Sequence, residues 1–206
     1  PKELKIIFKN IKDGAYDIVI GTELALKPSL MPVFALSAVI SLDQLLSQPD
    51  FRQEEKIFYI IQQLQDMTSE EIIVQTAIRH HALLSDLESG NIEAFFTRDS
   101  VFRKQFLYPP FAELIKLTMK DRLRLEAEKK SLFVKNLIQE EFTKAGIKKE
   151  SLYLLGPVPA FIPREKNEFI YHIVLKVKDQ NGLVKERLSH ILPSYVYRDV
   201  NPKTVL

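Results

Sequence analysis

EFIYHIVLKVK, Glu168–Lys178, alternates without a break: Phe169, Tyr171, Ile173, Leu175 and Val177 share one face. The other face carries His172, Lys176 and Lys178, with Ile170 and Val174 among them. Side chains of an extended chain point to opposite faces in turn, so this period of two predicts a strand with one face in a core. Upstream, Leu152–Leu155 is a short strand closed by Gly156-Pro157. Leu123–Lys144 carries Leu125, Leu132, Phe133, Leu137, Ile138 and Phe142 along a long amphipathic helix, stopped by Gly146. Phe111–Met119 alternates through Leu114, Ile115 and Leu117 and ends at Asp121, which makes it a strand. Downstream, a helix over Gly182–Leu192 precedes a last strand at Tyr195–Val200.

The order of this half is therefore βαββαβ, the split-βαβ or ferredoxin-like pattern. It predicts an antiparallel sheet covered by helices on one face, with the other face free to meet a partner. Leu107-Tyr108-Pro109-Pro110-Phe111 ends helix ahead of it, because proline lacks the amide proton and restricts its predecessor. It is read as a rigid hinge with Phe111 buried, in preference to a platform for stacking a base.

The first half reads differently. Lys2–Ile11 is a helix ended by Asp13-Gly14, and Asp17-Ile-Val-Ile20 is a buried strand delivering Gly21-Thr22 to a loop. Phe34–Leu42 and Glu70–Thr76 are further strands, with a helix over Asp50–Leu64 between them. Strands apolar on both faces and separated by helices imply a parallel α/β sheet, too small here for a whole nucleotide-binding lobe. Ala82–Glu88 and Ile92–Phe106 are helices broken by Ser89-Gly90-Asn91. The expected domains are residues 1–78, a helical connector 79–107, and residues 108–206.

An apolar content of 46% supports real cores, and no apolar run approaches the ~20 residues that span a bilayer. No membrane association is expected, nor is a signal peptide. The absence of cysteine excludes a disulfide framework, a zinc ribbon and a thiol nucleophile, and fits a cytoplasmic location. Residues 1–97 hold 8 Lys and Arg against 14 Asp and Glu, a net −6, whereas residues 98–206 hold 21 against 13, a net +8. That asymmetry inclines the second half towards a polyanion. His80-His81 are adjacent helical side chains without a cysteine partner, so no metal site is expected. No acid–base pair or nucleophile constellation is expected either.

GTELALK, LDQLLSQPDFRQEEK, VQT, LYPPF and GPVPAFIPR occur here in the order and spacing of the primosomal protein N-prime family. The whole chain resembles the C-terminal third of these PriA-like superfamily-2 DNA helicases of replication restart. The resemblance implies a partial RecA-like helicase lobe with a parallel sheet, followed by a ribosomal-protein-like βαββαβ domain. Gly21, Thr22 and Lys27 sit where the family loop reads GTQxLAKG, which touches the DNA backbone and couples it to nucleotide. Asp50-Phe51-Arg52 and Glu55 match its DFRxxER stretch.

Two departures stand out. Pro28 replaces the glycine after the lysine, which removes an amide donor. Where the family has VAGRAGR, this chain has LQDMTSE, so that Met67 and Glu70 occupy the arginine positions. Such an arginine stabilises charge in phosphoryl transfer and is worth ~10³–10⁵ in rate. No G-x-x-x-x-G-K-[ST] loop occurs in the chain, so it is not expected to hydrolyse ATP alone. No cofactor is expected in it; ATP and zinc belong to an upstream part.

For GPVPAFIPR, one glycine and three prolines imply a stiff loop presenting Arg164 and Lys166, a region the resemblance links to branched DNA and replication partners. The family's tyrosine-arginine-aromatic run on the next strand is Phe169-Ile170-Tyr171 here. Lys120, Arg122 and Arg124 join Arg164 and Lys166 as cations expected to contact DNA, with replication-restart proteins as possible further partners. The rival expectations are a protein-binding scaffold derived from a helicase, and part of an active helicase whose first lobe lies elsewhere.

Overall fold

The computed structural model describes residues 2–27, 31–147, 151–178 and 182–205; Pro28, singled out above, lies outside them. The chain is mixed α/β and divides into two compact units, Pro1–Thr97 and Arg98–Leu206.

The first unit begins with helix α1 (Lys2–Lys12). The expected strand over residues 17–20 does not form. A strand needs a neighbour for its amides and carbonyls, and none is paired with this segment among the described residues. Ile18 and Ile20 are consequently 80% and 91% exposed. Val19 alone packs inward, against a small cluster of Ile11, Met31 and Met67. Strand β1 (Phe34–Val39) stops three residues before the expected end. Ser41 turns the chain through a left-handed φ of 62°, and Leu42 then opens the short helix α2 (Leu42–Leu46) with its amide on the carbonyl of Gln75, 3.0 Å away.

Helix α3 (Gln53–Gln65) leads into strand β2 (Thr68–Val74), which runs parallel to β1 with Ser37 opposite Ile72 and Val39 opposite Val74. Among the described residues two strands, not three, make this sheet. They are not apolar and buried on both faces as expected: Leu36 of β1 and Ile73 of β2 are exposed, as is Ile40 just beyond β1. The unit's core lies among helices instead. Leu42, Ile57, Phe58, Ile61 and Leu83 of α2, α3 and α4 (Ala82–Ser89) surround Phe95 of α5 (Ile92–Phe106). The rings of Phe58 and Phe95 stack at 4.4 Å.

The second unit has the βαββαβ order: β3 (Glu113–Asp121), α6 (Arg124–Lys144), β4 (Leu152–Glu165), β5 (Glu168–Val177), α7 (Leu183–Ile191) and β6 (Tyr197–Val200). The strands lie β4-β5-β3-β6 and every neighbouring pair is antiparallel. The predicted alternation of β5 holds: Tyr171, Ile173, Leu175 and Val177 meet Ile115, Leu117 and Met119 of β3 in one core beneath α6 and α7. Helix α6 buries Ala127, Ser131, Val134, Ile138 and Phe142, a stripe at three- and four-residue spacing. Leu125, Leu132 and Phe133 were expected on that stripe, but all three are exposed. At about 100° per residue, Leu125, Leu132 and Phe133 fall outside this stripe, which is the face turned to the sheet.

The largest departure from expectation is β4. The sequence predicts a strand ending at Leu155 and then a loop, yet β4 runs on to Glu165 and pairs with β5. Pro157, Pro159 and Pro163 are tolerated because β4 is an edge strand, where a missing amide need not break a ladder. Two excursions absorb the rest. Gly156-Pro157 stand between the pairs Leu155–Val174 and Val158–His172, and residues 160–163 stand between Pro159–Tyr171 and Arg164–Phe169. Gly156 has φ +94° and a Cβ there would lie 2.7 Å from the carbonyl oxygen of His172, so only glycine fits.

Candidate nucleic-acid interface

The antiparallel register sets the geometry of the basic residues. Asp121 at the end of β3 pairs with Phe169 at the start of β5, and Phe169 pairs with Arg164 near the end of β4. One end of the sheet therefore gathers Lys120, Arg122, Arg124, Arg164 and Lys166, which lie far apart in sequence. All five are exposed.

Two turns hold them. In the first, the Asp121 carboxylate accepts the amide of Leu123 at 2.9 Å and the ammonium of Lys130 at 2.6 Å. The amide of Leu123 and then Lys130 hold this carboxyl below its usual range. The turn carries Arg122 and delivers Arg124 as the first residue of α6. A hydrogen bond with the Tyr171 hydroxyl shifts the Arg124 guanidinium further up, with help from Glu128. The second is the two-residue turn Lys166-Asn167 between β4 and β5, both residues having positive φ (48° and 68°). This backbone matches the twist of a tight hairpin. The Arg164 guanidinium lies 5.2 Å from the Phe169 ring centroid and donates to the Asn167 side-chain oxygen. Lys120 is 3.6 Å from Glu165, an exposed pair of little energetic weight. Arg122 and Lys166 make no ion pair among the described residues.

The sheet face opposite the helices is less open than the sequence predicts. Lys176 donates to the carbonyl of Phe106 at 2.7 Å, with its ammonium 3.6 Å from the centroid of the Tyr108 ring. Burial lowers its pKa. Tyr108 is thus the packed ring of the Tyr-Pro-Pro-Phe segment, and Phe111, expected to be buried, is 38% exposed. Lys116 donates to the Thr204 carbonyl at 3.0 Å. At the middle of the face His172 is buried, its Nδ1 3.1 Å from the Thr118 hydroxyl. Burial, then the charges of Lys116 and Lys120, push its pKa down to about 4, so the ring is neutral at physiological pH.

The remaining candidates lie in the first unit. Thr22 caps a 3₁₀ turn (Glu23–Ala25) by accepting the amide of Leu24 at 3.5 Å. Gly21 is confined because a Cβ there would meet that of Ala25 at 2.9 Å. Lys27 is exposed, and its carbonyl accepts the amide of Met31 at 3.1 Å. Met67 is buried in the small cluster under α1, whereas Glu70 is exposed on β2. His81 is not on a helix surface as expected: it precedes α4 and caps it, its Nδ1 accepting the amide of Leu83 at 3.3 Å.

Phe161 and Ile162, within the second excursion of β4, are large apolar side chains left 62% and 67% exposed beside these cations. Reading the segment as a loop gave them no role. The available signal was a hairpin one: two apolar runs flanking Lys166-Asn167.

Residues 104–202 match the family described as Primosomal protein N C-terminal domain. The replication restart protein PriA of Synechocystis is 24% identical over 96% of this chain and 24% of its own length. That of Chlamydia trachomatis is 28% identical over 96% of the chain and 27% of its own, and that of Bacillus subtilis 27% over 86% and 22%. The chain thus fits a diverged C-terminal part of PriA, as its motifs imply, and spans about a quarter of the length of these relatives. No helix among the described residues is long and apolar enough to cross a membrane.

Proposed function

We propose that this chain, a diverged relative of the C-terminal part of PriA, binds the phosphate backbone of forked or single-stranded DNA in replication restart. The observation that carries this reading is the convergence of Lys120, Arg122, Arg124, Arg164 and Lys166 at one end of the second unit's sheet. Such contacts are electrostatic and independent of base sequence. The strand order β4-β5-β3-β6 supports a ferredoxin-like, ribosomal-protein-like domain over residues 108–206. The parallel pair β1–β2 supports a remnant of a RecA-like lobe over residues 1–78, joined by the connector 79–107. With Met67 in the core and Glu70 carrying a negative charge, the remnant has no arginine at the two positions where the family's arginines serve phosphoryl transfer. Thr22 and Lys27 remain as a backbone-touching loop, and replication-restart proteins and a cytoplasmic location complete the picture.

The test is fluorescence anisotropy of a labelled fork titrated with the chain at several salt concentrations. If Arg122, Arg164 and Lys166 each reach a phosphate, log Kd varies with log salt with a slope of about 3, and alanine at each lowers it by about 1. No binding at low salt, or a slope unchanged by all three substitutions, overturns the reading.

A second reading, a protein-binding scaffold, draws on the exposed Ile18, Ile20, Leu36 and Ile40 of the first unit. Their replacement by serine would then abolish partner capture and leave DNA affinity untouched.

A further inference from the structure

We propose that the second excursion of β4, residues 160–163, is a base-reading wedge: Phe161 stacks on an unpaired base while the neighbouring cations hold its phosphates. The inference rests on the DNA-binding reading above and narrows its ligand to nucleic acid with exposed base faces.

The excursion is an outward feature of a regular sheet. Between Pro159–Tyr171 and Arg164–Phe169, β5 contributes only Ile170, which is buried, while β4 contributes residues 160–163. The surplus of three residues has to leave the ladder, which an edge strand allows without displacing another strand. Pro159 and Pro163 fix φ on either side, so the two apolar side chains stand on a stiff frame. Phe161 and Ile162 leave most of their surface in water, 62% and 67% of it.

The surroundings select the occupant. Arg164 follows two residues after Ile162 and is pre-ordered by the Phe169 ring and Asn167. Lys166 forms the hairpin tip, and Lys120 and Arg122 lie at the end of β3 that the register brings alongside. A specific protein interface takes about 800 Å² from each partner and a mainly apolar centre; two apolar side chains at a predominantly basic hairpin end, which also holds Glu165 and Glu168, provide neither. One aromatic face beside several phosphate-binding groups matches a single unpaired nucleotide. A closed duplex offers the cations its phosphates but hides its base faces, so Phe161 gains nothing from it.

The test compares two labelled probes of one sequence, a single strand and a blunt duplex, each titrated with the full chain and with Phe161→Ala, Phe161→Tyr and Arg164→Ala. Phe161 is exposed, and unchanged circular dichroism checks that the variants fold. Stacking on one base predicts that Phe161→Ala weakens single-strand binding roughly 5- to 100-fold and duplex binding less than about 2-fold. Phe161→Tyr restores the single-strand affinity, while Arg164→Ala weakens both probes. Equal loss on both probes from Phe161→Ala, or no loss on the single strand, overturns the wedge and leaves backbone binding standing. Binding of the unaltered chain to neither probe overturns both.

Discussion

The buried His172 makes the second unit's stability depend on pH in a window that can be calculated. Its pKa falls from 6.5 to about 4 on folding, chiefly by burial. Between those values the unfolded chain binds a proton that the folded chain refuses, so stability rises with pH. The full stability is present above the unfolded pKa, falls as the pH drops towards about 4, and is constant below it as far as this group is concerned. A separation of this size corresponds to about 3 kcal/mol at most, and to about 2 kcal/mol between about pH 7.5 and pH 5. Asp43 and Asp121 also have lowered pKa values, but their contributions are lost only as the pH falls below the ordinary aspartate value of 3.8, outside this window. The perturbation is therefore His172→Gln, whose neutral amide can meet the Thr118 hydroxyl but cannot take up the proton. Urea unfolding of both proteins at the two pH values measures the difference. The variant should lose about 2 kcal/mol less than the parent on acidification. A His172 ring that titrates near 6.5 by NMR in the folded chain, or a pH dependence unchanged by the substitution, refutes the argument.

Gly156→Ala should cost about 2–4 kcal/mol, read as a lowered urea midpoint, because it adds backbone strain to a clash with the His172 carbonyl. Leu117→Ala, in the fully buried centre of β3, should cost about 2–5 kcal/mol by the same measurement. Lys166→Gly should raise stability by about 1 kcal/mol, since a non-glycine residue at φ 48° is strained, while lowering DNA affinity. Asp43→Ala should loosen the end of β2, where the carboxylate accepts the Thr76 hydroxyl at 2.5 Å and the Ala77 amide at 3.0 Å; faster amide exchange at Ala77 is the readout.

The second unit was legible in the sequence because its pattern is redundant. The alternation of β5 identifies its buried face without reference to any neighbour, and the helix periods on either side leave one order of elements. The first unit carries no such redundancy. The run at Asp17–Ile20 has the composition of a buried strand, but an apolar run becomes a strand only where another backbone meets it. GPVPAFIPR misled for the opposite reason. Its prolines mark a break in an interior strand, and only the sheet order, which puts β4 at an edge, makes them compatible with pairing. The long-range gathering of Lys120 and Arg122 with Arg164 and Lys166 follows from register, which no local pattern states. The exposed Phe161 and Ile162 were hidden likewise, since apolar residues in sequence are read as buried until the excursion is seen.

The unequal lengths of β4 and β5, 14 residues against 10, have an evolutionary consequence. β5 is clasped by a neighbour on each side, so inserting one residue in it would move its core side chains to the opposite face. β4 has a free side and already stores its surplus in two places. Insertions or deletions at residues 160–163 can change the reach of the hairpin while Arg164 stays opposite Phe169. Related chains can therefore vary length there, adjusting what the arm touches without rebuilding the domain that bears it.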